Sequence, residues 1–563
     1  MRTKRDRDAG GGREYNNKYI PPLEIRILPS GDPWSRWLPR LTLAFVVFGL
    51  IVRLVRYLVC YPIWPDEAFL AANFLNGGYG DLLGTLRYHQ ISPLLFLWAE
   101  MFTVRLLGFS EYTLRLFPLL CGLGSVLVFC RLGRRLFRGE ALLLAMAFFA
   151  AAYYPIRHGA EIKPYATDLA VSVLLLALFV EWWRKPGKPR RLWFLALAVP
   201  FAVGLSFPAV FVAGGISIAL LAAAAKTRKT KLPAPFIAYN LLLLGAFLLT
   251  YRVSTGPQYR AEAWLSGPHP ETGSFNQDSA WVRTFPPFRE PARLPGWLLA
   301  THTGMMFAYP NGGFNGGSTL TFVFFAAGAG ILYSRRRRIV LLAFLAPFLL
   351  TFIAAALHKY PYGHNARFNL YLAPIICLLA GLGGTKLISL IPKVKTRTLI
   401  FKLLILLMVL LGLGSIAQDL LHPYKKIEDR RSREFARWFW THQAEDAELV
   451  CLKTDLGLDF FPRLFEWGHS ARYLCNQRIY SPAHREGRRG FSPDAVSGEH
   501  PLRCVVFSVP ECYEPYARRD ENRWQEWLAS MQGRYRLTGH EKFEVNAGVE
   551  SHHECYEVYE FIP

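Results

Sequence analysis

Apolar residues in this chain gather into runs of roughly twenty, separated by short polar stretches rich in Lys and Arg. A run of that length matches the ~20 residues an α-helix needs to cross the hydrocarbon of a bilayer. The pattern predicts spans at 41–61, 114–133, 140–156, 166–183, 192–206, 208–225, 234–251, 319–334, 339–357, 369–390 and 399–418, with 140–156 and 192–206 the shortest. The fold class is thus an α-helical polytopic membrane protein of about eleven transmembrane helices. A further run at 92–107 would reverse the orientation of everything after it if it crossed. It is read as an interfacial helix lying along the outer surface, with Glu100 and Arg105 on its polar side.

Basic residues orient the set. Arg2, Lys4, Arg5, Arg7 and Arg13 precede the first span, and later clusters fall at Arg131/Arg134/Arg135/Arg138, Arg184/Lys185/Lys188/Arg190/Arg191, Lys226/Arg228/Lys229/Lys231, Arg335 to Arg338, and Lys393/Lys395/Arg397. All of them face the cytoplasm if the eleven spans alternate, in accord with the positive-inside rule. Residues 1–40 become a cytoplasmic arm in which nothing before Leu41 resembles a signal-peptide core. Residues 41–418 become the membrane domain, with a first outer loop at 62–113. Arg53 and Arg56 are the charges left inside a span, where they either snorkel or face the bundle.

Residues 419–563 depart from this pattern. Short apolar runs at 448–452 and 504–507, with helical stretches around 428–442 and 521–532, indicate a small extracytoplasmic α/β domain. It holds Cys451, Cys475, Cys504, Cys512 and Cys555, five of the nine cysteines. An odd number leaves at least one thiol free and the pairing open. The His552-His553 pair reads as surface decoration.

Composition then narrows the function. Of 563 residues 52% are apolar, and the formal charge is +23. In a soluble protein such a charge would point to nucleic acid, but here the basic residues occupy short loops between spans. Nucleic acid is excluded and membrane lipids are the expected surroundings.

The residues that could do chemistry lie on the outer face. Trp64-Pro65-Asp66-Glu67 follows the first span, and two adjacent carboxylates beside a membrane are costly unless they cap, bind a cation or react. Asp66 could cap a helix starting near Ala68, with Glu67 complementing its dipole; the pair could instead hold a divalent metal ion. Arg157-His158-Gly159-Ala160-Glu161-Ile162-Lys163-Pro164-Tyr165 and His358-Lys359-Tyr360-Pro361-Tyr362-Gly363-His364-Asn365-Ala366-Arg367 occupy two further outer loops. Arg157 and Lys163 could be interfacial anchors, and Tyr360 to Gly363 a tight turn. Together the loops offer an acid, a base and cations on one face, enough to deprotonate a hydroxyl while holding a phosphate.

With these features in this order, the chain resembles the GT-C glycosyltransferases, a superfamily of enzymes using lipid-phosphate sugars that includes protein O-mannosyltransferases and the aminoarabinose transferase acting on lipid A. The resemblance covers 41 to about 390. It is carried by Asp66-Glu67, the helix at 92–107 leading into Glu111-Tyr112-Thr113-Leu114-Arg115-Leu116, Gly133-Arg134-Arg135-Leu136-Phe137, Glu161-Ile162-Lys163-Pro164-Tyr165-Ala166, and Tyr360-Pro361-Tyr362-Gly363 with Arg367. It implies an inverting transferase of the plasma (inner) membrane that moves a sugar from a polyprenyl phosphate to a lipid, glycan or protein hydroxyl. Asp66 would be the general base, with Glu67 positioning it or sharing a metal. Lys163, Arg367, His364 and Arg157 would hold the leaving phosphate, and Glu161, Tyr165, Tyr362 and His89 would contact substrate. Where family members often carry His-Pro-Pro, this chain reads His89-Gln90-Ile91-Ser92-Pro93. A transporter or lipid-linked sugar flippase is the alternative; repeated halves and midplane polar groups would favour it, and no repeat is visible. A membrane anchor for the C-terminal domain would need far fewer spans.

Overall fold

The structure, a computed structural model, describes residues 20–29, 31–186, 188–226, 233–260, 282–313, 316–421, 427–441, 448–453, 472, 475–480, 501–508, 529–531, 533–544 and 555–563. Each apolar run predicted to span folds as helix. In chain order the helices are α1 (Leu38–Leu58), α2 (Pro65–Ala71), α3 (Leu94–Leu107), α4 (Thr113–Leu136), α5 (Gly139–Ala150), α6 (Tyr153–Arg157), α7 (Tyr165–Arg184), α8 (Pro189–Leu205), α9 (Ala209–Lys226) and α10 (Ala234–Thr250). They continue with α11 (Leu294–His302), α12 (Gly317–Ser334), α13 (Arg338–Ala356), α14 (Ala373–Ser389) and α15 (Val394–Leu421). Among the described residues eight helices are long and apolar enough to cross a membrane, or nine if Gly139–Ala150 and Tyr153–Ala160, bent by 53°, form one broken span. The two shortest predicted segments, now α5 with α6 and α8, are among those that miss the length criterion as single helices. The chain is an integral membrane protein.

Lipid tails are as apolar as leucine, so helices in a bilayer associate through close packing rather than water exclusion, and small residues permit that approach. Helix α14 is the packed centre, threaded between α5 and α12. A Cβ at Gly383 would lie 1.8 Å from the Phe324 carbonyl oxygen, one at Gly328 would lie 2.1 Å from that of Leu379, and one at Gly381 would lie 2.4 Å from the Ala145 nitrogen. These glycines let backbone meet backbone.

The N-terminal segment straps one end of the bundle. Leu23 N–H donates to the Leu136 carbonyl at 2.7 Å and its own carbonyl accepts from Arg138 N–H at 2.9 Å. The N–H groups of Ile27 and Leu28 share Glu140 Oε1 at 3.1 and 3.0 Å. Arg184 and Arg337 donate to the carbonyls of Ile20 and Pro21. The basic ends of α4, α7 and α13 thus meet at one strap, and the loops carrying Asp66, Lys163 and Arg367 lie at the opposite ends of their helices.

One charge placement differs from expectation and a second chooses between two open alternatives. Glu100 does not lie on a polar face of α3. It is fully buried beside Phe96, Leu97, Met101 and Val104, while Phe102, Leu106 and Leu107 form the exposed face. The helix turns this way because α3 packs on α4 and α8, which a wholly polar underside could not do. Burial pushes the Glu100 carboxyl well above the usual carboxylate range. Arg53 and Arg56 do not snorkel. Arg53 donates to the Gly49 carbonyl at 2.8 Å, and Arg56 is ion-paired with Asp419, near the end of α15, with both side chains buried. Tyr153 donates to the other Asp419 oxygen at 3.1 Å.

Beyond α15, α16 (Ile427–Thr441) covers a four-stranded sheet of order β1-β2-β4-β3, formed by β1 (Glu448–Lys453), β2 (Leu502–Ser508), β3 (Arg536–Glu544) and β4 (Cys555–Ile562). Strands β1 and β2 run parallel and the other pairs antiparallel. Phe435, Ala436, Phe439 and Trp440 of α16 form a core with Val558. This mixed sheet with its helix is the α/β unit expected from the tail. Arg433 joins it to the membrane domain through the Cys60 carbonyl at 2.7 Å and Glu111 Oε2 at 3.0 Å. Cys475 is buried and its Sγ lies 3.8 Å from the Ala68 carbonyl oxygen of α2. The side chains of Cys451, Cys504, Cys512 and Cys555, the pair His552-His553 and most of the predicted helix at 521–532 lie outside the described residues.

Gly383→Val is expected to force α12 from α14 and abolish the monodisperse folded state, whereas Gly330→Ala, whose Cβ meets nothing within 4 Å, leaves it intact. Size-exclusion profile and thermal unfolding in detergent read the difference.

Candidate functional site

Helix α2 begins at Pro65, whose fixed φ suits the first helical position. Asp66 and Glu67 therefore occupy the first turn, and neither is a side-chain cap; the residue before the helix is Trp64. On a helix, neighbours in sequence point about 100° apart, and here that angle separates their environments completely.

Glu67 faces inward and is fully buried. Its carboxylate meets Arg115 twice, at 3.1 Å (Nε) and 2.8 Å (Nη2), and accepts the Ile162 N–H at 2.9 Å. Arg115, also buried, donates to the carbonyls of Tyr61 at 2.5 Å and Pro62 at 3.4 Å. The chain entering α2, the start of α4 and the loop before α7 are held by this pair.

Asp66 faces out, with its side chain 29% exposed. Lys163 Nζ lies 2.8 Å from Oδ1 and Arg367 Nη1 lies 3.4 Å from Oδ2. Lys163 also donates to Gln90 Oε1 at 2.8 Å. Each cation is placed by its own loop. The Lys163 N–H donates to the Glu161 carbonyl at 2.8 Å, and the Asn365 side chain accepts the Arg367 N–H at 3.2 Å. The turn before Arg367 requires glycine: Gly363 has φ +71°, and a Cβ there would lie 2.1 Å from Thr301 Cγ2. The triad carries one net positive charge beside a partly open carboxylate.

A second cluster adjoins it. Glu161 is buried and bound by Arg157 at 3.4 Å and His158 Nδ1 at 2.6 Å. Tyr165 connects the two clusters, its ring 5.2 Å from that of His158 and 6.0 Å from the Arg367 guanidinium. The structure thus gathers Asp66, Lys163, Arg367, Tyr165, Arg157 and Glu161 from three distant loops. Arg157 is paired with Glu161.

Tyr362 and His364 belong elsewhere. Tyr362 pairs with His302 at 3.1 Å on the wall of an apolar cavity of about 550 Å³, lined also by Leu298, Phe307, Phe325 and Phe348. His364 packs on Trp297 with ring centroids 5.9 Å apart. Burial, with the Arg283 charge second, lowers its pKa, so at neutral pH it is an uncharged ring. His364, one of the four residues expected to hold the leaving phosphate, brings no positive charge to that role. His89 sits in a single turn, Arg87–His89, and its side chain lies outside the described residues. The two carboxylates that could together hold a divalent ion point into different surroundings. Glu67 is saturated by Arg115 and a backbone N–H, Asp66 looks onto two cations, and no cluster of three His, Cys, Asp or Glu among the described residues could hold a metal. Arg115 and Gln90 had no assigned role in the sequence. Arg115 was detectable only as an arginine two residues inside a span, in need of a partner.

Replacing Arg115 with Met strands a buried carboxylate, and breaking such a pair costs about 3–5 kcal/mol. The expected result is a large fall in thermal stability for Arg115→Met, partly recovered in the double variant Glu67→Gln/Arg115→Met. Thermal unfolding of the purified variants checks it.

No protein-family model matches the chain, and neither does any curated protein. Solved structures do. ArnT from Cupriavidus metallidurans in the apo state is 13% identical with a TM-score of 0.50, over 91% of this chain and 98% of that one. The same protein bound to undecaprenyl phosphate gives 13% identity and 0.50 over 92% and 97%. The oligosaccharyltransferase of Archaeoglobus fulgidus tethered to an acceptor peptide gives 12% identity and 0.45 over 78% and 64%. The overlap with ArnT over nearly the whole of both chains is a likeness of fold.

Proposed function

We propose that the chain is an inverting glycosyltransferase that moves a sugar from a polyprenyl-phosphate donor to an acceptor hydroxyl, a lipid, glycan or protein, at the outer face of the plasma (inner) membrane. Its N-terminus is cytoplasmic and its C-terminal domain extracytoplasmic. The observation carrying this reading is the Lys163–Asp66–Arg367 triad. A carboxylate poised between two cations is what the transfer requires: a base for the acceptor proton and a cradle for the leaving phosphate. Asp66 removes the hydroxyl proton as the acceptor oxygen bonds to the anomeric carbon and the bond from that carbon to the phosphate oxygen breaks. Negative charge grows on the lipid phosphate, and Lys163 and Arg367 stabilise it with charge-assisted hydrogen bonds.

Without donor, the two cations rest on Asp66. An arriving phosphate competes for both and leaves the carboxylate free to act as a base. The apolar cavity at Tyr362 suits the polyprenyl chain. Tyr362 and Arg367 are only five positions apart, a reach of at most about 18 Å. The binding of undecaprenyl phosphate by the ArnT of like fold supports the donor class. Glu67 and Arg115 are positioning residues in this mechanism, and Tyr165 and Glu161 order the cations.

Asp66→Asn is expected to leave expression and folding intact and to lower turnover by about 10²–10⁴, the usual contribution of a general base. Lys163→Met and Arg367→Gln are expected to raise the donor KM as well as lower kcat. Transfer from polyprenyl-phosphate sugars by purified protein is the assay, and unchanged turnover in Asp66→Asn overturns the mechanism.

A further inference from the structure

At the end of the bundle remote from Asp66, three arginines from two helices converge on one acid. Glu181 near the end of α7 faces Arg131 at 3.3 Å and Arg135 at 2.7 Å, both on α4, and Arg191 at 3.7 Å, at the start of α8. Arg191 also donates to the Glu181 carbonyl. One carboxylate cannot neutralise three guanidiniums, so the cluster holds two excess positive charges. Arg131 remains 65% exposed and Arg135 39% exposed, while Glu181 is 17% exposed. The acid lies beneath and the unspent charge faces outward.

The same three helices present exposed apolar side chains one or two turns deeper. They are Leu127 on α4, four residues before Arg131; Leu174 on α7, seven before Glu181; and Phe194 and Leu197 on α8. On a helix, spacings of three, four and seven residues share a face. The surface therefore reads, from the helix ends inward, as guanidiniums followed by an open apolar wall.

We propose that this surface binds an anionic phospholipid, with its phosphodiester between Arg131, Arg135 and Arg191 and its acyl chains along Leu127, Leu174, Phe194 and Leu197. Charge complementarity selects the occupant. Guanidinium pairs phosphate oxygens in a fork, two excess charges favour an acidic headgroup over a zwitterionic one, and the wall below takes acyl chains, which a free phosphate lacks. Basic clusters at the membrane boundary are attracted to acidic lipid. Here the charges are fixed by three helices around one acid, so a single saturable site results rather than a diffuse attraction. Arg115 and Arg131 are sixteen residues apart on α4, about 24 Å, so the site stands apart from Asp66 whatever reaction occurs there.

Native mass spectrometry of the full chain in neutral detergent tests this with dioleoyl phosphatidylglycerol and dioleoyl phosphatidylcholine as probes. The expected result is one saturable phosphatidylglycerol, bound at least tenfold more weakly by Arg131→Gln/Arg135→Gln/Arg191→Gln. Glu181→Gln, which frees the arginines, should bind it more tightly, and that opposite shift decides the matter if the triple variant misfolds. Equal retention of the two lipids, or no change in either variant, overturns the proposal. Displacement of the lipid by inorganic phosphate would identify a free-anion site and overturn it too.

Discussion

The buried pair of Glu67 and Arg115 is the contact on which the outer end of the bundle depends. Two charges removed from water are costly, and the cost is offset only when geometry and the remaining hydrogen bonds are complete. Here the fork of Arg115 meets both carboxylate oxygens while its other donors reach the carbonyls of Tyr61 and Pro62. Glu67 in turn accepts from Ile162. One interaction thus fixes the register of three chain segments. The next residue on the helix, Asp66, is turned by that constraint toward Lys163, one position beyond Ile162.

A second buried pair works at longer range. Arg56 and Asp419 join the end of α1 to the end of α15, from which the C-terminal domain departs. Arg433 then ties α16 to Cys60 and Glu111, and Cys475 packs on Ala68 within α2. The segment carrying Asp66 is therefore held from below by α4 and flanked by the C-terminal domain. Residues that began as isolated charges near a membrane turn out to be the joints between its parts.

Sequence periodicity revealed the long apolar helices, though not how many of them cross, because hydrophobic length is a one-dimensional property, readable without partners. The alternation of basic clusters was legible for the same reason, and so was Asp66, since a carboxylate at a span's edge is conspicuous. What stayed hidden was orientation around a helix axis. In sequence Glu100 groups with Arg105, five positions on, as the polar side of α3, yet burial with Phe96, Leu97 and Val104 decides its face. His364 looked cationic beside Arg367, but its ring packs on Trp297 and is kept neutral by burial. Glu67 could not be separated from Asp66 by any local signal, because the difference lies in Arg115, 48 residues away.

The same residue type serves two ends of this molecule differently, and the difference follows from which carboxylates accompany it. At the Asp66 end, arginine and lysine are matched closely by acids: Arg115 to Glu67, Arg157 to Glu161, Arg433 to Glu111, with one charge in surplus at Lys163 and Arg367. Matching gives rigidity, and the small surplus leaves a local demand for an anion. At the strapped end Glu181 serves three arginines and the surplus is larger and exposed. A bundle with equal charge at both ends would have no preferred orientation in a membrane and no focused anion site. Among the described residues, these pairs leave a larger arginine surplus at the strapped end than at the Asp66 end.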